Sequence, residues 1–161
     1  MVDVVSEPLK TITENKGAAA KTQDLHGRLR VASFEYTNAT GGTLADGTTF
    51  QLVDLPKNKV KILGTLSNLK SSALGASRVI KVGHAAYTAV DGTAVADNDD
   101  AICGAVSLAT AVVAQLNNTI ADAGASLEIN SQGGVRIYGT ITGGTIPSGA
   151  TIKGEIIYVV D

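Results

Sequence analysis

Apolar residues occupy every second position in two runs on either side of Pro56, within residues 48–69. The alternating positions are Phe50, Leu52, Val60, Ile62, Gly64 and Leu66. A period of two places one set of side chains on the core face of a strand and the other set on the opposite face. Because proline cannot donate to a sheet ladder, Pro56 is expected at a strand end or corner. The stretch therefore predicts a strand, a tight corner and a second strand.

Short runs of the same kind recur along the chain and are separated by turn-forming Gly, Asn, Asp and Pro residues. The further predicted strands are Leu29–Thr37, Ser77–His84, Ser126–Asn130, Val135–Thr142 and Ala150–Val160. At 161 residues the chain is long enough for one domain with a core of its own. About eight short strands at this spacing are typical of an all-β fold, a β-sandwich or jelly roll.

Residues 91–126 fit two patterns. The acidic segment Asp97–Asp100 precedes a long apolar run, and carboxylates in that position favour the start of a helix. The apolar run fits strands nearly as well, and Gly104 disfavours a long helix. We expect a short helical turn near residues 98–103, followed by a strand.

Residues 1–28 differ from the rest, because their apolar residues are scattered and no period is sustained. Pro8 and Gly17 interrupt the segment. We expect an extended N-terminal arm, either poorly ordered or ordered by lying on a neighbouring chain, with a short helix around residues 7–21 as the alternative. The predicted organisation is an arm of residues 1–28 and a β-sandwich domain of residues 29–161.

The composition of the chain limits the kinds of partner that it is expected to bind. The net charge of -2 provides no bulk attraction to nucleic acid or to an anionic membrane, so neither is an expected partner. No apolar run approaches the roughly 20 residues that span a bilayer, and the first residues do not resemble a secretory signal. Cys103 is the only cysteine, which excludes an internal disulfide and agrees with synthesis in a reducing cytosol.

Residue types suited to catalysis do not form a recognisable motif. His26 and His84 are far apart and lack the close Cys and His spacing of zinc sites. No signature places a base beside Cys103, and the acidic segment lacks the glycine and the distal glutamate of a calcium loop. We expect a non-enzymatic protein with no catalytic residue, cofactor or metal.

Charges are segregated along the sequence. Between residues 55 and 90 there are six basic residues and no acid, whereas between residues 91 and 135 there are six acids and no base. One interpretation is that folding mixes both sets over the surface. The other is that basic and acidic patches meet across subunits and give register and specificity.

Four segments together resemble small structural proteins of tailed bacteriophages. The shared pattern is an aromatic strand, a loop, a hairpin, a strand that ends near a glycine, and a closing strand, and the hairpin has the sequence FQLVDLPKNKVKIL in this chain. The matching segments are Phe34–Thr37, Phe50–Leu63, Val79–Gly83 and Ile152–Val160. The resemblance covers residues 30–161 and implies a virion protein with a β-sandwich or jelly-roll fold that decorates the head or cements the capsid.

The resemblance implies a location on the outer capsid surface after synthesis in the host cytoplasm. The implied partners are the major capsid protein and further copies of the chain, for which a trimer would match local capsid symmetry. Position and charge indicate the arm and the basic hairpin as the interface: Val4, Val5, Leu9, Ile12, Lys57, Lys59 and Lys61. The alternative is a tail-associated module for host recognition or carbohydrate binding, with Tyr87 as the candidate for contact with a sugar.

Overall fold

The fold consists of β-strands throughout the part of the chain that the computed structural model describes, which is residues 28–38, 43–120 and 126–160. No helix occurs in these residues, and the all-β prediction is confirmed. The strands are β1 (Arg28–Thr37), β2 (Thr49–Leu55), β3 (Asn58–Leu63), β4 (Asn68–Ser71), β5 (Val79–His84), β6 (Tyr87–Thr88), β7 (Ala94–Val95), β8 (Asn98–Ser107), β9 (Val112–Gln115), β10 (Ser126–Ser131), β11 (Val135–Thr142) and β12 (Thr151–Val160).

The strands form two main antiparallel sheets. The larger sheet has the order β10-β3-β12-β4-β9, and β1 pairs with the remaining edge of β12. The smaller sheet has the order β2-β11-β5-β8, and β6 pairs with β7 in a separate two-stranded hairpin. Strands that are distant in sequence are neighbours in both sheets, so most pairings are non-local.

Strand β12 organises the larger sheet because it has neighbours along both edges. On one edge it pairs with all of β1, from Arg28 opposite Val160 to Thr37 opposite Thr151. On the other edge it has two partners, β4 along residues 152–155 and β3 along residues 158–160. The predicted closing strand is therefore the centre of a sheet.

The hydrophobic core lies between the two sheets. Its largest fully buried side chains are Ile62, Leu69, Ile80, Ile102, Leu108, Leu116, Ile129, Ile137, Ile141, Ile146, Ile152 and Ile156. Each such side chain contributes about 1.5–3 kcal/mol relative to an exposed one. The rings of Tyr36 and Phe50, with centroids 4.3 Å apart, join β1 of the larger sheet to β2 of the smaller sheet.

The corner at Pro56 carries the chain from one sheet to the other. Strand β2 pairs with β11, whereas β3 pairs with β10 and β12, so the predicted hairpin is wrong although both strands exist. Asn58 adopts a positive φ of 77° directly after the corner, a conformation that asparagine tolerates better than most residues. The second strand ends at Leu63 rather than at Leu66, because a turn separates it from β4.

A β-bulge changes the phase of β2. The register with β11 shifts between Ile137 and Tyr138, so that Val53 faces Ile137 and Gln51 faces Tyr138. Leu52 is the extra residue, and both it and Val53 are buried. Because Phe50 and Leu52 alternate on the core face, the sequence pattern predicts that Thr49, Gln51 and Val53 face outward, which the bulge makes wrong for Val53.

The helical turn expected near residues 98–103 is also wrong. Strand β8 begins at Asn98 and pairs with β5, bringing Cys103 opposite Val82 in the core. The carboxylates that suggested a helix start instead meet a lysine, because Asp99 Oδ2 lies 3.2 Å from Lys81 Nζ. Burial of the apolar residues in a sheet therefore outweighs the local preference for a helical turn.

Candidate interaction surfaces

The three lysines predicted for an interface lie in or next to β3. Lys59 and Lys61 are two positions apart and alternate with buried residues, so they share the outer face of the larger sheet. Lys57 is exposed in the corner before the strand. The predicted interface residues of the arm lie outside the described residues: Val4, Val5, Leu9 and Ile12. The structure places the lysines along one segment, and their role stays a prediction.

Basic and acidic segments meet within one molecule. Lys59 Nζ lies 3.1 Å from Glu128 Oε2, because β3 and β10 are neighbours. Lys81 Nζ lies 3.2 Å from Asp99 Oδ2 and 4.0 Å from Asp100 Oδ2 across β5 and β8. These pairs are partly exposed, where an ion pair contributes about 0.2–1 kcal/mol. They favour the interpretation that folding mixes the two sets of charges over the surface.

An apolar patch lies on the outer face of the larger sheet, where β1 and β12 are paired. Leu29 is opposite Val159 and Val31 is opposite Ile157, and all four side chains point away from the core. Leu29 and Val31 are each 56% exposed. We call these four residues the outer apolar patch. Adjoining exposed apolar side chains of this kind are commonly covered by a partner or another segment.

Charged residues border the outer apolar patch. Lys61 on β3 is directly opposite Val159, at one side of the patch. Further along β12, the exposed Glu155 is opposite Ser33, and Lys153 Nζ lies 2.6 Å from Glu35 Oε1. Charged side chains therefore mark the limits of the outer apolar patch.

The outer apolar patch has a signal in the sequence that the alternation of apolar and polar residues does not capture. Residues 156–160 are apolar at every position rather than at every second one. Such a run indicates a strand that is covered on both faces. Among the described residues, other side chains cover β12 only on its core side, so its apolar outer face is left uncovered.

Of the side chains considered for catalysis, the structure describes His84 and Cys103. His84 is buried, with Nδ1 3.1 Å from the carbonyl oxygen of Ala85 and its ring edge-on to Tyr87 at 5.3 Å. Cys103 is fully buried on β8, and burial raises the pKa of its thiol. Burial also raises the pKa of the Tyr87 hydroxyl. His26 lies outside the described residues.

Two kinds of feature are absent from residues 28–38, 43–120 and 126–160, namely a metal-binding cluster and a membrane-spanning helix. The His, Cys, Asp and Glu side chains of these residues form no group of three that could hold a metal ion. No helix long and apolar enough to cross a membrane was found in them.

Comparison with known proteins gives likeness in structure only. No family model matches the sequence, and no curated protein matches it. A chain of the cyanophage Pam1 capsid asymmetric unit aligns with a TM-score of 0.52 and 15% identity, over 85% of this chain and 88% of that one. A chain of the acid-stable capsid of Helicobacter pylori bacteriophage KHP30 aligns with a TM-score of 0.42 and 10% identity, over 84% and 90%.

A chain of the Gt strain of infectious bursal disease virus aligns with a TM-score of 0.46 and 14% identity over 84% of this chain, but this covers only 32% of the viral chain. Of these three likenesses, the one to the Pam1 chain is strong enough to compare whole folds. This chain has the all-β sandwich fold of a chain found in a phage capsid.

Proposed function

We propose that this chain is a non-enzymatic structural protein of a bacteriophage virion that binds the outer surface of the capsid as a decoration or cement protein. The observation that carries the proposal is the likeness to a chain of the Pam1 capsid asymmetric unit, which extends over 85% of this chain and 88% of that one. Because the alignment extends over nearly the full length of both chains, it supports a protein with the size and architecture of the Pam1 chain.

The proposed mechanism is bridging. A protein that contacts two or more capsid subunits raises the free energy needed to separate them, and many copies on a symmetric shell reinforce one another. A rigid sandwich with broad sheet faces suits this task because little conformational entropy is lost when a preformed surface binds. The major capsid protein is the proposed partner, and further copies of this chain, as a trimer on a local three-fold axis, are the proposed neighbours.

The proposed contact surface combines the arm with Lys57, Lys59 and Lys61, which we call the basic corner. Lys57 and Lys61 are exposed on the same segment as Lys59, so they can approach acidic groups on a partner. The arm residues supply apolar contacts, and a segment that becomes ordered on binding can cover a large surface at an entropic cost. The proposed apolar contacts are Val4, Val5, Leu9 and Ile12.

The test is binding of the purified full-length chain to expanded capsids that lack it, with isolated tails and host cells as parallel targets. Each capsid sample is then heated to determine its rupture temperature. Saturable binding to capsids together with a higher rupture temperature is the expected result. Retention on tails or cells without capsid binding would overturn the proposal in favour of a host-recognition or carbohydrate-binding module.

A further inference from the structure

Strand β1 is a long edge strand with an uninterrupted free edge. Its ten residues pair with β12 without a register shift, and no other described strand pairs with its second edge. The sequence of the strand, RLRVASFEYT, contains no proline. Its free edge therefore presents a row of backbone N–H and C=O groups to which a further strand can bind.

The other edges of the two main sheets carry features that hinder such pairing. Strand β9 has only four residues, and β2 contains the bulge at Leu52. Strand β8 is as long as β1, but its register with β5 shifts twice. The edge of β10 is bordered by the chain between β6 and β7, where Ala89 forms a bridge with Ser131. Short strands, bulges and covering segments protect sheet edges, and β1 has none of them among the described residues.

A second copy of the chain offers a strand with the same property. When two β1 strands pair antiparallel about a twofold axis, one contact removes both unprotected edges. Because side chains alternate between the two faces of a strand, the cores of both copies lie on the same side of the joined sheet only if residues of the same face are opposite each other. Pairing centred on Ser33 meets this condition and places residues 29–37 opposite residues 37–29.

The two ends of β1 carry opposite charges, which suits antiparallel pairing. Arg28 and Arg30 lie at the start of the strand, and Glu35 lies near its end. In the register centred on the middle of the strand, Arg30 is opposite Tyr36 of the second copy. Glu35 is opposite Val31 of the second copy. No like charges are directly opposite each other, so a destabilising arrangement is avoided.

We propose that β1 pairs with β1 of a second copy, antiparallel and centred on Ser33, so that the larger sheets of two molecules form one continuous sheet. The facing residues give about eight to ten inter-strand hydrogen bonds, which is comparable to the roughly ten of a typical protein interface. Leu29 and Val31, each 56% exposed, gain cross-strand neighbours on the outer face. The partner is thus a second copy of this chain, and the contact surface is a backbone edge.

The inference concerns the purified chain and does not depend on capsid binding. A twofold contact differs in symmetry from the trimer proposed above. In an assembly that contains both contacts, pairing of β1 strands would join neighbouring trimers. Either proposal can therefore fail without affecting the other.

The first test uses the full-length chain with Cys103→Ala, so that one introduced cysteine is the only thiol. Ser33→Cys places two thiols opposite each other at the centre of the proposed pairing, where facing Cβ atoms lie about 4.5–5.5 Å apart. Val113→Cys is the matched control, because Val113 is 71% exposed on β9 at the opposite edge of the same sheet. Both variants are treated with a short bis-maleimide, and thermal unfolding verifies that each is folded.

The expected result is a dimer in sedimentation velocity whose fraction increases with protein concentration, from low micromolar to several hundred micromolar. Crosslinked dimer should be at least several-fold more abundant for Ser33→Cys than for Val113→Cys. Equal crosslinking of both variants would overturn the inference. A monomer at all concentrations would overturn it too, and slow reaction of the introduced Ser33→Cys thiol in that monomer would identify another segment of the same chain as the occupant.

Substitutions at Val31 test the register. Val31→Glu places a carboxylate opposite Glu35 of the second copy, and the twofold axis repeats this like-charge contact, so the dissociation constant of the dimer should rise about tenfold. Val31→Lys removes the same apolar side chain but places an ammonium group opposite Glu35, so the dissociation constant should stay the same or fall. Equal weakening of the dimer by both substitutions would overturn the register centred on Ser33.

Discussion

The backbone amide of Ile157 donates a 2.9 Å hydrogen bond to Ser67 Oγ at the point where β12 changes partner. On this edge β12 pairs with β4 up to Glu155 and with β3 from Tyr158, so Ile157 has no strand partner there. Ser67 is fully buried, and its hydroxyl donates in turn to the carbonyl oxygen of Leu63 at 2.9 Å. The Ser67 side chain thus supplies a hydrogen bond to the backbone of β12 at the point between its two partner strands, β4 and β3.

Removal of this hydroxyl should destabilise the protein. Ser67→Ala removes the acceptor of the partly buried Ile157 amide, whereas the Leu63 carbonyl still accepts from the backbone amides of Leu66 and Ser67. We therefore expect the free energy of unfolding to fall by about 0.5–1.5 kcal/mol. Urea denaturation followed by circular dichroism measures the change. Ser33→Ala, at an exposed position of β1, is the matched control and should be neutral within about 0.5 kcal/mol. Equal effects of both substitutions would contradict the role assigned to Ser67.

Gly154 is required in the middle of β12 by the close approach of two neighbours. A Cβ at this position would overlap the backbone oxygen of Asn68 and the ring of Phe34, which lies opposite Gly154 on β1. Gly154→Ala should therefore lower the free energy of unfolding by about 1–3 kcal/mol. Gly133→Ala is the control, because a Cβ there meets nothing within 4 Å. Chemical denaturation of the two variants should separate them clearly, and a neutral Gly154→Ala would contradict this packing.

Much of the strand pattern was predictable because alternation reports burial directly. Strand β11 has the predicted bounds, and the predicted closing strand differs from β12 by one residue. The partners of each strand were not predictable, because pairing depends on contacts between residues far apart in sequence. The corner at Pro56 illustrates this: local sequence indicates that the chain turns, but not that it enters another sheet.

The candidate site was predictable only in part for a similar reason. Exposed lysines are visible in the sequence, but the outer apolar patch exists because β1 and β12 are neighbours. Segregation of charge along the sequence does not imply segregation in space, since Lys81 and Asp99 are separated in sequence and paired in space. Sequence position alone therefore does not distinguish a pairing within the molecule from one between molecules.

The ion pair of Lys81 should have a small, salt-dependent effect on stability. Lys81→Met removes the contacts to Asp99 and Asp100, and we expect the free energy of unfolding to fall by about 0.2–1 kcal/mol at low ionic strength. At 1 M salt the screening length is about 3 Å, so the difference should become smaller. Lys70→Met, at an exposed lysine without an ion pair among the described residues, is the control. A loss that does not depend on salt would indicate packing of the Lys81 stem instead.

The buried thiol of Cys103 should make the protein less stable at alkaline pH. Burial raises the pKa of this thiol, and hydrogen bonding by the backbone of Asn118 and Asn117 opposes the shift. Above the ordinary thiol pKa of about 8.5, the unfolded chain releases a proton that the folded chain retains. The free energy of unfolding should therefore be unaffected by this group below that pH and should decrease above it, by at most about 1.4 kcal/mol per pH unit.

Cys103→Ala isolates that contribution, because the other titrating groups are unchanged. Urea denaturation at several pH values between 7 and 10 should give a steeper alkaline loss for the natural chain than for Cys103→Ala. Parallel pH profiles for the two proteins would show that the thiol does not contribute.

The basic corner can be tested for a role in capsid binding with two charge reversals that alter net charge equally. Lys57→Glu changes an exposed residue of the corner, and Lys70→Glu changes an exposed residue on β4 of the larger sheet. If the corner faces the shell, Lys57→Glu should slow association with capsids several-fold at low salt, because charge at an interface mainly affects the association rate. Lys70→Glu controls for long-range attraction. The association rate with capsids is measured for both variants at two ionic strengths. Selective slowing by Lys57→Glu would assign the basic corner to the contact with the capsid. Equal slowing by both variants would mean that only net charge matters.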